Sequence, residues 1–276
     1  MQISEHPKFG KICTFLTNAG FYLTLREDNG EDEGILSNIG LMKKGDNIPA
    51  YLSSVIIGAP SKLPHAPTDL KENVVDTNTI CLWGSSCKYF AVLVARIFNL
   101  GPELKFKWKF EDVPNELGFN EDLRKYWWDL DSSALPKPGY VDKDEPWKSY
   151  SEERIKLYPM GDIQGREITL SSGKTVRYQL LNTFGEKLIL EKNRDSISSN
   201  DDFLARFLQW KDQTGTWSPV QMFNIFKRDE LREIRQDIEK YDVRFEMICE
   251  IPHPNGKEPV MIPLLGLPDF FKPTEI

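Results

Sequence analysis

CLWGSSCKYFAVLVARIFNLGPELKFKWKFED, residues 81–112, carries the clearest local pattern in the chain. Ser85 and Ser86 are placed to cap a helix that runs through about Asn99. Gly101-Pro102 stops it, because glycine reaches the left-handed conformations in which helices end and proline cannot continue one. The run from Leu104 to Phe110 then alternates apolar and polar residues as a half-buried strand does. Helix, stop and strand, in that order, set the terms for reading the rest.

Upstream, KICTFLTNAGFYLTLRE (11–27) alternates around Asn18-Ala19-Gly20 and predicts a hairpin. DNGEDEGILSNIGLMKKGDN (28–47) reads as an acidic loop, a short helix-like piece and a glycine break, and IPAYLSSVIIG (48–58) as a short helix. Pro60, Pro64 and Pro67 mark a loop. Downstream, FNEDLRKYWWDLD (119–131) is a short amphipathic candidate. DSSALPKPGYVDKDEPWKSYSEE (131–153), with its prolines and charges, reads as a linker. The division is placed there: an N-terminal half of residues 1–131, a Pro-rich linker of 132–150 and a C-terminal half of 151–276.

The second half opens with strands ITL and TVRYQLL joined by Ser171-Ser172-Gly173-Lys174. FGEKLILEKNRD and NDDFLARFLQWKD follow as helices, the second with Asn200, Asp201 or Asp202 as its N-cap. SPVQMFNIFKRDELREIRQDIEKYD (218–242) predicts one helix or two meeting near Lys227, with Leu231, Ile234 and Ile238 on one face. VRFEMICEIP reads as a strand, His253-Pro254-Asn255-Gly256 as a turn and PVMIPLL as the returning strand. Strands and helices alternate too irregularly for a parallel sheet. The fold class is therefore α+β, with two related-looking halves, each of short antiparallel strands packed with two or three helices. Glu33, Leu36, Leu52 and LKFKWKF have counterparts at similar spacing in Glu186, Ile189, Leu204 and VRFEMIC. Either an old duplication or a recurrent strand-helix-strand pattern accounts for that.

At 276 residues, 40% hydrophobic and 12% aromatic, the chain has the means to bury a real core. A formal net charge of −7 lacks the basic footprint of non-specific nucleic-acid binding. KKGD (43–46) and KFKWKF (105–110) add only local positive charge, and they read as solvated faces. Four irregularly spaced cysteines suggest free thiols in a reducing compartment. The N-terminus has no charged leader followed by an apolar run, and YFAVLVARIF is too short to span a bilayer. The chain reads as a soluble, unprocessed protein.

Catalytic signatures are sparse. Neither GxxxxGK[ST] nor GxGxxG occurs. Cys81 and Cys87 flank WGSS with His65 upstream, but nothing joins them into a thiol site, and structural cysteine is the favoured reading. Cys249 and His253, four residues apart, make one pair where a structural zinc needs two. The aromatic clusters say more. Tyr126, Trp127 and Trp128 stand beside the linker, and Phe270 and Phe271 stand in the terminal stretch DFFKP. Such residues either lid their own core or anchor another chain, so Trp127, Trp128, Phe270 and Phe271 are the candidate partner-binding residues. Since successive side chains of an extended segment face opposite ways, one terminal phenylalanine is expected inward and the other outward.

FKRDELREIRQDIEKYDVRFEMICEIPHPNGKEPVMIPLLGLPDFFKP (226–273) has a charged helix, strand, turn, returning strand and Phe-Phe-x-Pro, in that order. ITLSSGKTVRYQLLNTFGEKLIL (168–190), DEGILSNIGLMKKGDNIPAYLSSVI (32–56) and WGSSCKYFAVLVARIFNLGPELKFK (83–107) add a strand-turn-strand, Glu-x-Ile-Leu-x-Asn, Lys-Lys-Gly and helix-Gly-strand blocks. Together they resemble the baseplate hub subunit family of T-even-like contractile-tailed bacteriophages. Where that family carries paired cysteines at the strand turn, this chain keeps Cys249 but has Pro252-His253-Pro254-Asn255-Gly256, a degenerate knuckle expected to close without metal. The resemblance implies a non-enzymatic virion protein, assembled in the host cytoplasm, without cofactor. Its implied partners are other hub proteins and the tape-measure protein, with homo-oligomer formation in the hub also open. A tail assembly chaperone absent from the finished virion is the alternative within that biology. A thiol- or carboxylate-dependent hydrolase is the alternative outside it.

Overall fold

In the computed structural model the described residues are 1–17, 22–58, 68–126, 165–191, 199–212, 214–221, 223–242, 245, 247–267 and 269–272. The fold is α+β, built from small antiparallel sheets and packed helices.

The first sheet has the order β1 (Gln2–His6), β2 (Gly10–Leu16), β3 (Tyr22–Arg26) and β4 (Ile56–Gly58). The expected hairpin is β2–β3, with Cys13 opposite Leu25 and Phe15 opposite Leu23. All four side chains are buried, and Thr14 and Thr24 share a hydrogen bond of 2.8 Å across the pair. β1 had no signal beyond its pairing with β2. Helices α1 (Gly30–Leu36), α2 (Ile39–Lys44) and α3 (Asn47–Val55) lie between β3 and β4. Asn29 caps α1 and Asp32 returns the bond to the Asn29 amide at 2.8 Å, a capping box. Arg26 and Ser54 also bond Asp32, which fixes α1 against the sheet and α3. IPAYLSSVIIG is thus helix and then strand, because Ile56–Gly58 finds an open edge at β3.

After α4 (Thr77–Cys81) comes α5 (Ser85–Leu100). Residues 90–98 of α5 are buried without interruption, as in a helix that is apolar all round and central to a core. Its N-cap is Gly84, one residue before the expected serine. The Ser85 amide donates to the Leu181 carbonyl at 2.7 Å, so the helix starts against the second half and buries the Ser85 side chain. β5 (Glu103–Trp108) and β6 (Leu117–Asp122) form a hairpin, with Phe106 opposite Phe119 and their rings stacked at 5.7 Å. FNEDLRK is therefore strand followed by a 3-10 turn (Leu123–Tyr126). Six cross-strand pairs outweigh a weak helical pattern.

The second sheet has the order β10 (Trp217–Pro219), β9 (Gln209–Lys211), β8 (Thr175–Tyr178) and β7 (Arg166–Thr169). Between β8 and β9 stand α6 (Thr183–Glu191) and α7 (Ser199–Ala205), so NDDFLARFLQWKD divides into helix and strand. A 3-10 turn (Phe223–Ile225) precedes α8 (Arg228–Tyr241), which buries Ile234 and Ile238 and half-buries Leu231. Asp237 of α8 bonds Arg166 at 2.6 Å and the Tyr178 hydroxyl at 2.7 Å, pinning the helix across β7 and β8. β11 (Ile248–Ile251) and β12 (Val260–Pro263) close the chain as a hairpin, followed by a 3-10 turn (Leu264–Gly266).

Both halves run hairpin, helices, a strand added beside the hairpin's second strand, a long helix and a closing hairpin. Buried side chains from Cys13 to Phe270 nonetheless join in one cluster. Residues 132–150, read as the linker, lie outside the described residues.

Candidate interaction surface

The terminal stretch folds inward. Amides of Phe270 and Lys272 donate to the carbonyls of Leu267 and Asp269, so it forms a turn, not an extended segment. Phe270 is fully buried and Phe271 is half-buried, with the two rings edge-on at 4.9 Å. Phe271 also meets the Tyr51 ring at 5.9 Å. Arg96, itself buried on α5, donates Nε to the Phe270 carbonyl at 2.5 Å and its other nitrogens to the carbonyls of Gly101 and Glu103. Burial pulls this guanidinium down to about 10. Beneath Tyr51, its hydroxyl donates to the Asp28 carboxylate at 2.9 Å, and burial pushes Asp28 up to about 6. Trp127 and Trp128 lie outside the described residues. Their neighbour Tyr126 donates to Glu121 and the Ile248 carbonyl.

The hairpin turn at His253–Gly256 has Gly256 at φ +71° and its amide on the His253 carbonyl at 3.0 Å. His253 Nε2 meets Asp112 at 2.9 Å, and Asn255 and Lys257 also reach that carboxylate. Cys249 is buried beside Glu121, and burial pushes its thiol up to about 11. The pair thus engages different partners. Among the described residues no group of three or more His, Cys, Asp or Glu is placed to hold a metal ion. Burial also raises the Cys81 and Cys87 thiols, the reverse of what a thiolate nucleophile needs. Lys105 and Lys107 project from the outer face of β5 while Leu104 and Phe106 are buried. No helix among the described residues is long and apolar enough to cross a membrane.

Among the described residues, five of the eight exposed large apolar side chains lie on α2 and α6, the others being Met1, Ile3 and Met261. Ile39 is 67% exposed, Met42 54%, Leu190 58%, Phe184 40% and Leu188 38%. Local rules explain both helices. Asn38 Oδ1 accepts the Leu41 amide at 3.1 Å and Gly45, at φ +68°, ends α2; Asn182 Oδ1 accepts the Phe184 and Gly185 amides, each at 3.1 Å, to start α6. Gly185 lets α6 approach α7, since a Cβ there would stand 2.1 Å from the Ala205 carbonyl oxygen. Under α6, buried Lys88 reaches Glu186 at 2.6 Å and Thr183 at 2.8 Å, and Tyr89 donates to the other Glu186 oxygen. Burial alone would raise Glu186, but the Lys88 charge and these bonds hold it below the ordinary carboxylate range. Lys187 bonds Asp46 at 2.6 Å, bringing α6 beside the end of α2. Between the start of α3 and α6 runs a groove of about 330 Å³, lined by Ile48, Pro49, Tyr89, Ile189 and Leu190 and by the paired Lys88, Glu186 and Lys187.

A second cleft, of about 400 Å³, lies by Ser85 and the helices α7 and α8. Arg206 there bonds Asp202 at 3.1 Å and Asp242 at 2.5 Å, so much of its charge is matched internally. The groove beside α3 and α6 differs in its mainly apolar lining, and its lysines are matched by Glu186 and Asp46. Sequence reading placed both helices but not this face. A signal was available: α6 carries Phe184, Leu188, Ile189 and Leu190, too much apolar surface for one inward stripe of a short helix. No protein-family model, curated protein or solved structure matches the chain.

Proposed function

We propose that the chain is a structural and assembly protein of a contractile-tail baseplate hub, working by binding other hub proteins and the tape-measure protein. The observation that carries the binding role is the exposure of Ile39 and Met42 on α2 and of Phe184, Leu188 and Leu190 on α6, the second helix held from below by the Lys88–Glu186 pair. Large apolar side chains gathered on one surface mark interaction sites, since each contributes roughly 1.5–3 kcal/mol when fully buried. The hub setting rests on the resemblance of residues 32–56, 83–107, 168–190 and 226–273 to that family. Phe271, half-buried on Tyr51, adds a smaller contact at the C-terminal turn.

The test is to express the tagged chain together with the genes that flank its own and to analyse purified particles by mass spectrometry. The expected result is the chain in hub or tail particles. Recovery with the tape-measure protein but absence from finished particles moves the role to a chaperone. Absence of any association removes the hub reading.

A further inference from the structure

We propose that the cleft of about 400 Å³ between the start of α5 and the helices α7 and α8 binds an organic cation, a guanidinium or primary ammonium carried on a short apolar stem. Such a site goes beyond the hub role and does not depend on it.

Charge selects the sign of the ligand. Among the described lining residues, four carboxylates, those of Glu186, Asp202, Glu239 and Asp242, face the two guanidiniums of Arg206 and Arg235. Lys88 neutralises Glu186 from beneath, Arg206 bonds both Asp202 and Asp242, and Arg235 stacks over the buried Phe203 ring at 5.0 Å. Four carboxylates against these three cations leave one negative charge over, in a partly enclosed recess where charge is felt more strongly than on open surface. Ile238 and Glu239 lie in the last turn of α8 and Asp242 is its C-cap, so the helix dipole there also favours a cation. The first amide of α5, which would draw an anion, is already taken by the Leu181 carbonyl.

Ser85 supplies the polar contact. It is only 7% exposed, it lines the cleft, and its hydroxyl has no hydrogen-bond partner among the described residues. Lys88 and Tyr89 already occupy the two oxygens of Glu186, so the Ser85 hydroxyl helps to hold that carboxylate low without reaching hydrogen-bond geometry with it. A buried oxygen left in this state is costly, and an N–H brought in by a ligand completes it. The walls suit the rest of such a ligand. Leu181 and Ile238 offer apolar contact to a stem, and Tyr89 and Phe245 offer rings to its cation, the Phe245 ring being held edge-on to Phe90 at 5.3 Å.

The probes are butylguanidinium and pentanoate, a cation and an anion of similar length, titrated separately into the full chain at low salt and followed by calorimetry. Butylguanidinium is expected to saturate with a Kd of about 1 mM or below, and pentanoate not to bind. Ser85→Ala should weaken the cation by about two- to tenfold while the melting temperature stays level or rises, because the hydroxyl removed had no partner. Glu239→Lys, at an exposed position of the cleft, should weaken it by about threefold or more and keeps the test decisive if Ser85→Ala fails to fold. Equal binding of the two probes, no cation binding at about 10 mM, or unchanged binding in both variants overturns the proposal. Spermidine and a capped alanine peptide with one central arginine separate the sources of the cation. Tighter binding of the peptide assigns the site to a partner's side chain, and tighter binding of spermidine to a free polyamine.

Discussion

The C-terminal turn and the α2/α6 face are both rich in large apolar side chains, yet one is closed and the other open. Phe270 is fully buried, whereas Leu190 is 58% exposed. Polar anchoring makes the difference. At the turn, Arg96 takes the Phe270 carbonyl itself, drawing that segment onto α5. At α6, the anchors Thr183, Glu186 and Lys187 share one stripe with Leu190, which lines the groove there, while exposed Phe184 and Leu188 lie on another face of the helix. Apolar density in sequence therefore does not tell a core lid from an exposed face; where the bonded polar groups sit does.

The largest expected effects lie in the closed region. Phe270→Ala should cost about 3–5 kcal/mol in urea unfolding, and half-buried Phe271→Ala clearly less. Equal costs would erase the inward-outward distinction at the turn. Arg96→Met should cost about 2–4 kcal/mol, because three carbonyls lose a charged donor. A neutral result would mean that burial of Phe270 alone holds the turn. On the open side, Gly185→Ala should cost about 1–3 kcal/mol by forcing α6 off the Ala205 carbonyl. It should also disturb the outward face.

The smallest effect is a pH dependence under the turn. Asp28 is raised to about 6 by burial, so the folded chain holds this proton more tightly than the unfolded one. Its contribution is present below the ordinary carboxylate range and is lost as pH rises through about 6. Asp28→Asn, whose amide oxygen still accepts from Tyr51, should be more stable than the parent by about 1–2 kcal/mol near neutral pH. The gap should close toward about pH 4, which urea midpoints at the two pH values would show.

Much of the fold is legible in the sequence because local rules govern it. The β2–β3 hairpin, the α5 stop at Gly101, the β7–β8 turn and the closing hairpin follow from alternation and turn residues. The misses have non-local causes. β1 exists through its pairing with β2, β6 through its register with β5, and the start of α5 through the Leu181 carbonyl. That the terminal aromatics would matter for packing was readable from Phe270 and Phe271, but the buried cation beneath them was not, since Arg96 sits 174 residues away. The α2/α6 face escaped for the same reason: Lys187 meets Asp46 across 141 residues.

The central claim is that the open α2/α6 face works outward while the C-terminal turn holds the molecule together. Leu188→Asp with Leu190→Asp, carried into the flanking-gene expression system, tests it most directly. The double variant should unfold within about 0.5 kcal/mol per substitution of the parent, as surface changes do, and be missing from purified particles. Normal incorporation of a folded double variant would contradict the claim.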